Sequence, residues 1–181
     1  MGTSKKDIGS MPGFQVAVLL KVIGTDNLVV EIGSYRGVTA RRIARAGNKV
    51  ICIEPFMGEY DKSKVSKELA VTNTVKRDFI KNTKDLPITL IEDYSYNAIK
   101  NFDKEIDVLI IDGEHSYNGI KRDIEWIKFV KPCGIIAFHD YGLKQFPGIK
   151  DAVDEFITGK YVFIKNICTL KVFRNEVIDN E

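Results

Sequence analysis

The stretch DVLIIDGEHSYNGIKRDIEWIKFVKPCGIIAFHDY, Asp107 to Tyr141, decides the fold. Val108 to Ile111 is an unbroken apolar run of the kind buried on both faces of a parallel sheet, and Asp112-Gly113 stops it. From Tyr117 to Val130, Ile120, Ile124, Ile127 and Val130 fall at helical spacing, while Lys121, Arg122, Asp123, Glu125 and Lys128 cover the other side. Pro132 and Gly134 mark the exit of that helix, and Gly134 to Phe138 resumes as a second buried strand. A strand, a crossover helix and a second parallel strand make a βαβ unit whose strands are sheet neighbours. Both strands then end on one edge, which puts Asp112 and His115 about 5–10 Å from His139 and Asp140. The chain has only two histidines, and both fall here. In open α/β sheets the carboxyl edge is where ligands bind, so chemistry is expected on this edge.

Outward from this unit the alternation continues. Phe14 to Ile23 reads as a helix packed on the sheet, after a polar tail from Met1 to Gly13. Strands are expected at Leu28 to Ile32, Lys49 to Ile53 and Ile88 to Ile91, with helices at Val38 to Ala46, Ser66 to Lys81 and Tyr94 to Phe102. Beyond Tyr141, Gly148 to Ile157 has an amphipathic helical pattern, and Tyr161 to Lys165 with Cys168 to Phe173 reads as a closing hairpin. The last residues form a polar tail. Strands alternating with helices, followed by two further strands, predict an α/β fold in three layers: a mainly parallel seven-stranded sheet with a C-terminal antiparallel hairpin. One domain, residues 14–175, is expected between tails at 1–13 and 176–181, and 181 residues suffice for one sizeable core.

Composition narrows the function classes. A net charge of +2, from 27 basic and 25 acidic residues, argues against a polyanion-binding surface as the main purpose. No apolar run approaches the ~20 residues that span a membrane, and the N-terminus lacks a signal-peptide core, so a cytoplasmic protein is expected. Cys52, Cys133 and Cys168 are far apart, without metal-ligand spacing, and are expected as buried free thiols rather than a disulfide.

Three strand ends carry candidate site residues. VVEIGSYRGVTA, Val29 to Ala40, is a strand-turn-helix in which Gly33 permits a sharp turn and close approach of a ligand to the backbone. A pyrophosphate site would want a G-x-G-x-x-G turn, but Tyr35 stands at the second glycine position and Glu31 would attract an ammonium. Glu54, ending the second strand, is placed either to accept two ribose hydroxyls or as an exposed strand-end carboxylate. Glu92, Asp93 and Ser95 end the third strand, where an adenine amino group could be read or a helix N-cap formed. Asp112, His115, His139 and Asp140 together suit divalent-ion binding or proton transfer. Arg41, Arg42 and Arg45 read as a solvated basic face in preference to an RNA site.

Taken together, these stretches resemble the class I S-adenosylmethionine-dependent methyltransferases, and among them the small-molecule O-methyltransferases related to the macrocin and mycinamicin sugar methyltransferases. VVEIGSYRGVTA is similar to that family's first motif. DVLIIDGEHSY and FHDY are similar to its acidic blocks in order and spacing, and FPGIKDAVDEFI to the helix that follows. The resemblance implies a Rossmann-like methyltransferase fold. It implies cofactor contacts at Glu31, Gly33, Ser34, Tyr35, Gly37, Glu54, Asp93 and Asp112, with Glu31 toward the methionine amino group and Glu54 on the ribose. It further implies a divalent cation such as Mg²⁺ on Asp112 and Asp140, with His139 where some relatives carry a second acid. His115 matches the general base, working with Asp112.

The expected activity is therefore O-methylation of a small-molecule hydroxyl of sugar or natural-product type. The rival readings are a non-catalytic S-adenosylmethionine-binding module, an RNA methyltransferase, and a nicotinamide oxidoreductase that the EIGSYRG turn disfavours. Tyr35, Tyr117, Tyr141 and Phe146 are candidate walls for the acceptor, and a homo-oligomer that lends a lid is a further expectation.

Overall fold

β1 (Leu28–Ile32) lies at the centre of a seven-stranded sheet whose strand order is β3-β2-β1-β4-β5-β7-β6. The computed structural model describes residues 10–57 and 74–177. Around β1 stand β2 (Lys49–Ile53), β3 (Ile88–Ile91), β4 (Ile106–Ile111) and β5 (Val130–Phe138), all parallel. β6 (Tyr161–Ile167) and β7 (Leu170–Val177) form the antiparallel hairpin, with β7 paired antiparallel to β5. The chain reverses direction on the sheet between β1 and β4, so the crevice there opens at the carboxyl ends of both strands.

The central strands are apolar on both faces because helices cover both. On one face Val30, Ile32, Ile51, Ile53, Leu109, Ile111, Ile136 and Phe138 pack with Trp126 and with the residues of α5 (Tyr117–Ile124) and α6 (Pro147–Phe156). On the other, Val29, Val50, Cys52, Val108, Ile110 and Ala137 pack against α1 (Gly13–Ile23), α2 (Val38–Arg45) and Phe79 of α3 (Thr74–Thr83). α4 (Ser95–Ala98) is a single turn that continues as a 3₁₀ turn through Asn101. The expected three-layer architecture is present.

Several boundaries differ from the sequence reading, each for a local reason. Met11, expected in a polar tail, is fully buried, and its carbonyl accepts a hydrogen bond from Arg42. The helix from Tyr117 ends at Ile124 and tightens into a 3₁₀ turn, Glu125–Phe129. β5 then starts at Val130, before Pro132 and Gly134 rather than after them. It absorbs Pro132, which has no N–H to give the ladder, in a bulge where Cys133 takes φ 64° and the register with β4 shifts. β7 runs on to Val177, so the residues after Phe173 continue the hairpin instead of beginning a tail. Of the expected helix from Ser66, the first residues lie outside those described.

The cysteine expectation holds only in part. All three thiols are free, but Cys52 alone is buried; Cys133 and Cys168 are exposed. Both exposed residues take left-handed backbone conformations, φ 64° at the β5 bulge for Cys133 and 55° in the hairpin turn for Cys168, which carry them off the apolar faces of the strands.

Candidate functional site

The turn after β1 is shaped by two glycines with positive φ, Gly33 (83°) and Gly37 (68°). A Cβ on Gly33 would lie 2.3 Å from the Asp112 carbonyl oxygen, because the turns after β1 and β4 touch there. The glycine therefore serves the approach of two strand ends as well as opening backbone toward the crevice. A Cβ on Gly37 would meet Thr83 and Phe79 of α3 at 2.7 and 2.9 Å, so this glycine closes the packing of α3 on the start of α2. Ser34 is buried, its hydroxyl directed to the Glu31 carbonyl, and Tyr35 between the glycines takes φ 48°.

Two buried carboxyls lie beneath this turn. Glu31 is 1% exposed, and burial pushes its pKa up to about 8. It faces Cys52 across β2, with its Oε2 3.9 Å from the thiol sulfur. Glu54 is fully buried, and burial pushes it up to about 7. Its Oε2 accepts the Tyr35 N–H at 2.7 Å and its Oε1 the Phe56 N–H at 2.9 Å. The exposed-carboxylate reading does not describe this arrangement, because Glu54 lies within the fold. Glu54 instead ties the β1 turn to the chain leaving β2.

At the ends of β4 and β5 the predicted juxtaposition of acids and imidazoles is present, tighter than the strand spacing alone requires. His139 Nδ1 lies 3.0 Å from Asp112 Oδ1 and 3.3 Å from Asp140 Oδ1. His115 Nε2 lies 3.4 Å from Asp140 Oδ2. Asp140 itself takes φ 54°, which turns its carboxylate back between the two imidazoles. Burial opposes charge on His139, but the Asp112 and Asp140 carboxylates outweigh it and raise the imidazole to about 10. Burial likewise opposes ionisation of Asp140, but its bonds to His115 and His139 hold it well below the usual carboxylate range. Asp112, His139 and Asp140 each offer one ligand atom, all within 4.8 Å of one another, so this donor set fits one divalent ion.

A cavity of about 380 Å³ opens beside this cluster, with Gly33, Pro55, Tyr94, Ser95, Gly113 and His115 in its wall. Its volume lies in the range of cofactor and small-molecule pockets. Tyr94 and Tyr96 stack with ring centroids 5.2 Å apart at its rim, and the Arg122 guanidinium lies 5.2 Å above the Tyr96 ring. Asp93 does not line the cavity: its Oδ1 accepts the Tyr94 N–H at 2.7 Å and the Asn97 side-chain amide at 3.1 Å, while the N-cap of α4 is Tyr94, without a side-chain capping bond, so neither Asp93 nor Ser95 caps the helix.

Two polar residues of the site escaped the sequence reading. Asp123, expected on the solvated side of its helix, is 3% exposed, lines the cavity and accepts a hydrogen bond from the Ser95 hydroxyl. Burial pushes its carboxyl up to about 7. The signal was one of periodicity, since Asp123 follows Ile120 by three positions and so shares its buried face. Gln15 of α1 is 1% exposed and reaches His139 Nε2 at 3.0 Å. Nothing in its sequence neighbourhood marks it.

The candidate acceptor walls divide. The Phe146 ring stacks on His115 with centroids 4.1 Å apart, whereas Tyr141 donates to Asp154 and Tyr117 to Glu155, both on α6. The basic helix is partly spoken for, with Arg41 on Asn82 and Arg42 on the Met11 carbonyl.

The sheet order with a reversed β7, the glycine turn after β1 and the acid-bearing carboxyl edge define a class I S-adenosylmethionine-dependent methyltransferase. The chain belongs to the methyltransferase-domain family, whose model matches residues 30–141, more than half its length. No curated protein matches it. Among solved structures it is similar to CalS11, a TDP-rhamnose 3'-O-methyltransferase of calicheamicin biosynthesis (14% identity, TM-score 0.62, covering 89% of this chain and 77% of that one). It is also similar to a putative rRNA methylase from Clostridium thermocellum (17%, TM-score 0.64, covering 98% and 100%). A third is the methyltransferase PaMTH1 of Podospora anserina bound to S-adenosylhomocysteine (15%, TM-score 0.64, covering 94% and 82%). Among the described residues no helix is long and apolar enough to cross a membrane.

Proposed function

We propose that this methyltransferase alkylates a hydroxyl of a small molecule of sugar or natural-product type, with a divalent cation held by Asp112, His139 and Asp140. The observation that carries this reading is the pairing of two imidazoles with two carboxylates, of which His115 lines the cavity. A hydroxyl is a poor nucleophile at neutral pH, so a hydroxyl-methylating site needs a base in reach and a means of lowering the hydroxyl pKa. Bound S-adenosylmethionine supplies an activated methyl group, and a bound divalent cation supplies Lewis acidity toward the acceptor oxygen.

The chain's own residues supply position and proton transfer. Gly33 and the tyrosines at the rim of the cavity hold the nucleoside part, with Glu31 beneath the turn as the acid that a ligand ammonium would return to its ionised form. His115 takes the hydroxyl proton, oriented by Asp140 on one side and by the face of Phe146 on the other. Alignment of hydroxyl and methyl donor carries much of the rate, worth up to roughly 7–11 kcal/mol in the best-oriented systems.

An RNA acceptor is the rival, favoured by the full-length match to a putative rRNA methylase. Arg41 and Arg42, bound within the fold, are poorly free to grip phosphates. The test is calorimetric titration with S-adenosylmethionine, then methyl transfer from labelled cofactor to a panel of sugars, phenolic natural products and ribosomal RNA. Micromolar cofactor binding with label on a small hydroxyl compound supports the reading. Label on RNA alone replaces the acceptor, and absence of cofactor binding removes the enzyme reading altogether.

A further inference from the structure

Gln15 is a buried amide on α1, remote in sequence from every motif, and all its polar atoms are committed. Its Nε2 donates to the Ile167 carbonyl at 2.8 Å and to the Thr169 hydroxyl at 3.0 Å, in the turn between β6 and β7. Its Oε1 lies 3.0 Å from His139 Nε2. A carbonyl oxygen can only accept, so Ile167 fixes which end of the amide faces the hairpin. The reversed amide would set Oε1 against the Ile167 oxygen and Nε2 against the imidazole. With Oε1 toward His139, Nε2 of the imidazole carries a proton whether the ring is neutral or charged. Nδ1 is then the nitrogen that faces Asp112 and Asp140, at 3.0 and 3.3 Å. The same turn also secures the other side of the site, since the Thr169 carbonyl accepts the Tyr141 N–H at 2.9 Å, one residue past Asp140.

Resting on the metal-assisted reading above, we propose that Gln15 is a positioning residue that holds His139 as the Nε2–H tautomer. Nδ1 is thereby presented as a third ligand beside Asp112 and Asp140, and the site favours a borderline transition ion such as Mn²⁺, Co²⁺ or Zn²⁺ over Mg²⁺. Ligating histidines commonly donate their second N–H to an oxygen that fixes ring orientation, and Gln15 supplies that oxygen here. Two carboxylates alone suit a hard ion. A neutral imidazole nitrogen added to them shifts preference along the transition series, because imidazole binds Mg²⁺ poorly.

The experiment is titration of the full chain, stripped with chelator, with Co²⁺ and with Mg²⁺. It follows visible absorbance for cobalt and calorimetry for both, on the unaltered protein and on Gln15→Leu, Gln15→Glu and His139→Asn. S-adenosylmethionine affinity is measured on every sample. Co²⁺ is expected to bind at least tenfold more tightly than Mg²⁺. Gln15→Leu should weaken cobalt binding about 10- to 100-fold with cofactor affinity retained, while Gln15→Glu, which keeps an acceptor toward His139 but sets an oxygen against the Ile167 carbonyl, should fall between Gln15→Leu and the parent. Equal affinity for the two ions, or unchanged cobalt binding in Gln15→Leu, overturns the proposal. If Gln15→Leu does not fold, the ¹⁵N spectrum of the zinc-loaded parent decides, with a proton on Nδ1 of His139 as the refuting result. Cofactor binding without any metal binding overturns this inference and leaves the methyltransferase standing, whereas loss of both in the parent strikes the underlying reading.

Discussion

The carboxylate of Glu54 and the backbone N–H of Tyr35 are joined by a 2.7 Å hydrogen bond that fastens the glycine turn after β1 to the end of β2. With the Phe56 N–H on its other oxygen, the buried Glu54 carboxyl satisfies two backbone amides of half-buried residues at once. Each orphaned buried group costs about 1–3 kcal/mol, so Glu54→Ala should destabilise the chain by about 2–5 kcal/mol. Urea unfolding of the variant beside the parent measures this. A loss below about 0.5 kcal/mol, the range of ordinary surface changes, would show that the turn does not depend on that carboxylate.

Gly33 is a second point of dependence. Alanine there meets a left-handed φ of 83° and the Asp112 carbonyl at 2.3 Å. The backbone cost alone is about 1–2 kcal/mol, and separating the turns after β1 and β4 adds to it. Gly33→Ala should lose more than ~2 kcal/mol of stability and weaken cofactor binding together, because both depend on that approach. Parent-like thermal unfolding in the variant would contradict the close contact.

The raised carboxyl of Asp123 ties stability to pH. With a folded pKa of about 7 and an unfolded value near 3.8, the folded chain holds a proton that the unfolded chain has released between those limits. The unfolded state binds fewer protons there, so this contribution makes stability fall as pH rises from about 4 to 7. Glu31 and Glu54, raised by burial, act with the same sign over windows closing near pH 8 and 7. Asp123→Asn should flatten the slope by up to about 1.4 kcal/mol per pH unit, the value for one proton. Denaturant midpoints measured at pH 5, 6 and 7 test it, and an unchanged slope in the variant means that Asp123 is ionised across that range.

His115 separates binding from chemistry. It touches Asp140 and Phe146 at the carboxyl edge, in the wall of the cavity that Gly33 also lines. His115→Ala should reduce turnover of a hydroxyl acceptor by about 10²–10⁴-fold, the usual contribution of a positioned base, while cofactor affinity stays near that of the parent. Single-turnover methyl transfer and calorimetry measure the two separately. Undiminished turnover would assign the proton to another group.

Much of this architecture was legible from one dimension. Short unbroken apolar runs such as Val108 to Ile111, stopped by Asp112-Gly113, fit strands covered on both faces, and the intervening 3.6-residue periodicity fits crossover helices. Right-handed βαβ connection then sends Asp112 and His139 to one edge, so their meeting followed from topology before any distance was known. Local chemistry also announced the turn at Gly33 and Gly37.

What only the tertiary structure decided are the partners of buried polar groups. That Glu54 accepts two backbone amides, that Asp123 meets Ser95, and that Gln15 reaches His139 across 124 positions all depend on packing between distant segments. A sequence pattern records which face of an element is apolar, because burial of apolar area is additive and non-directional. A hydrogen bond is directional and needs a particular atom within about 3 Å, and that atom is chosen by how the layers settle against one another.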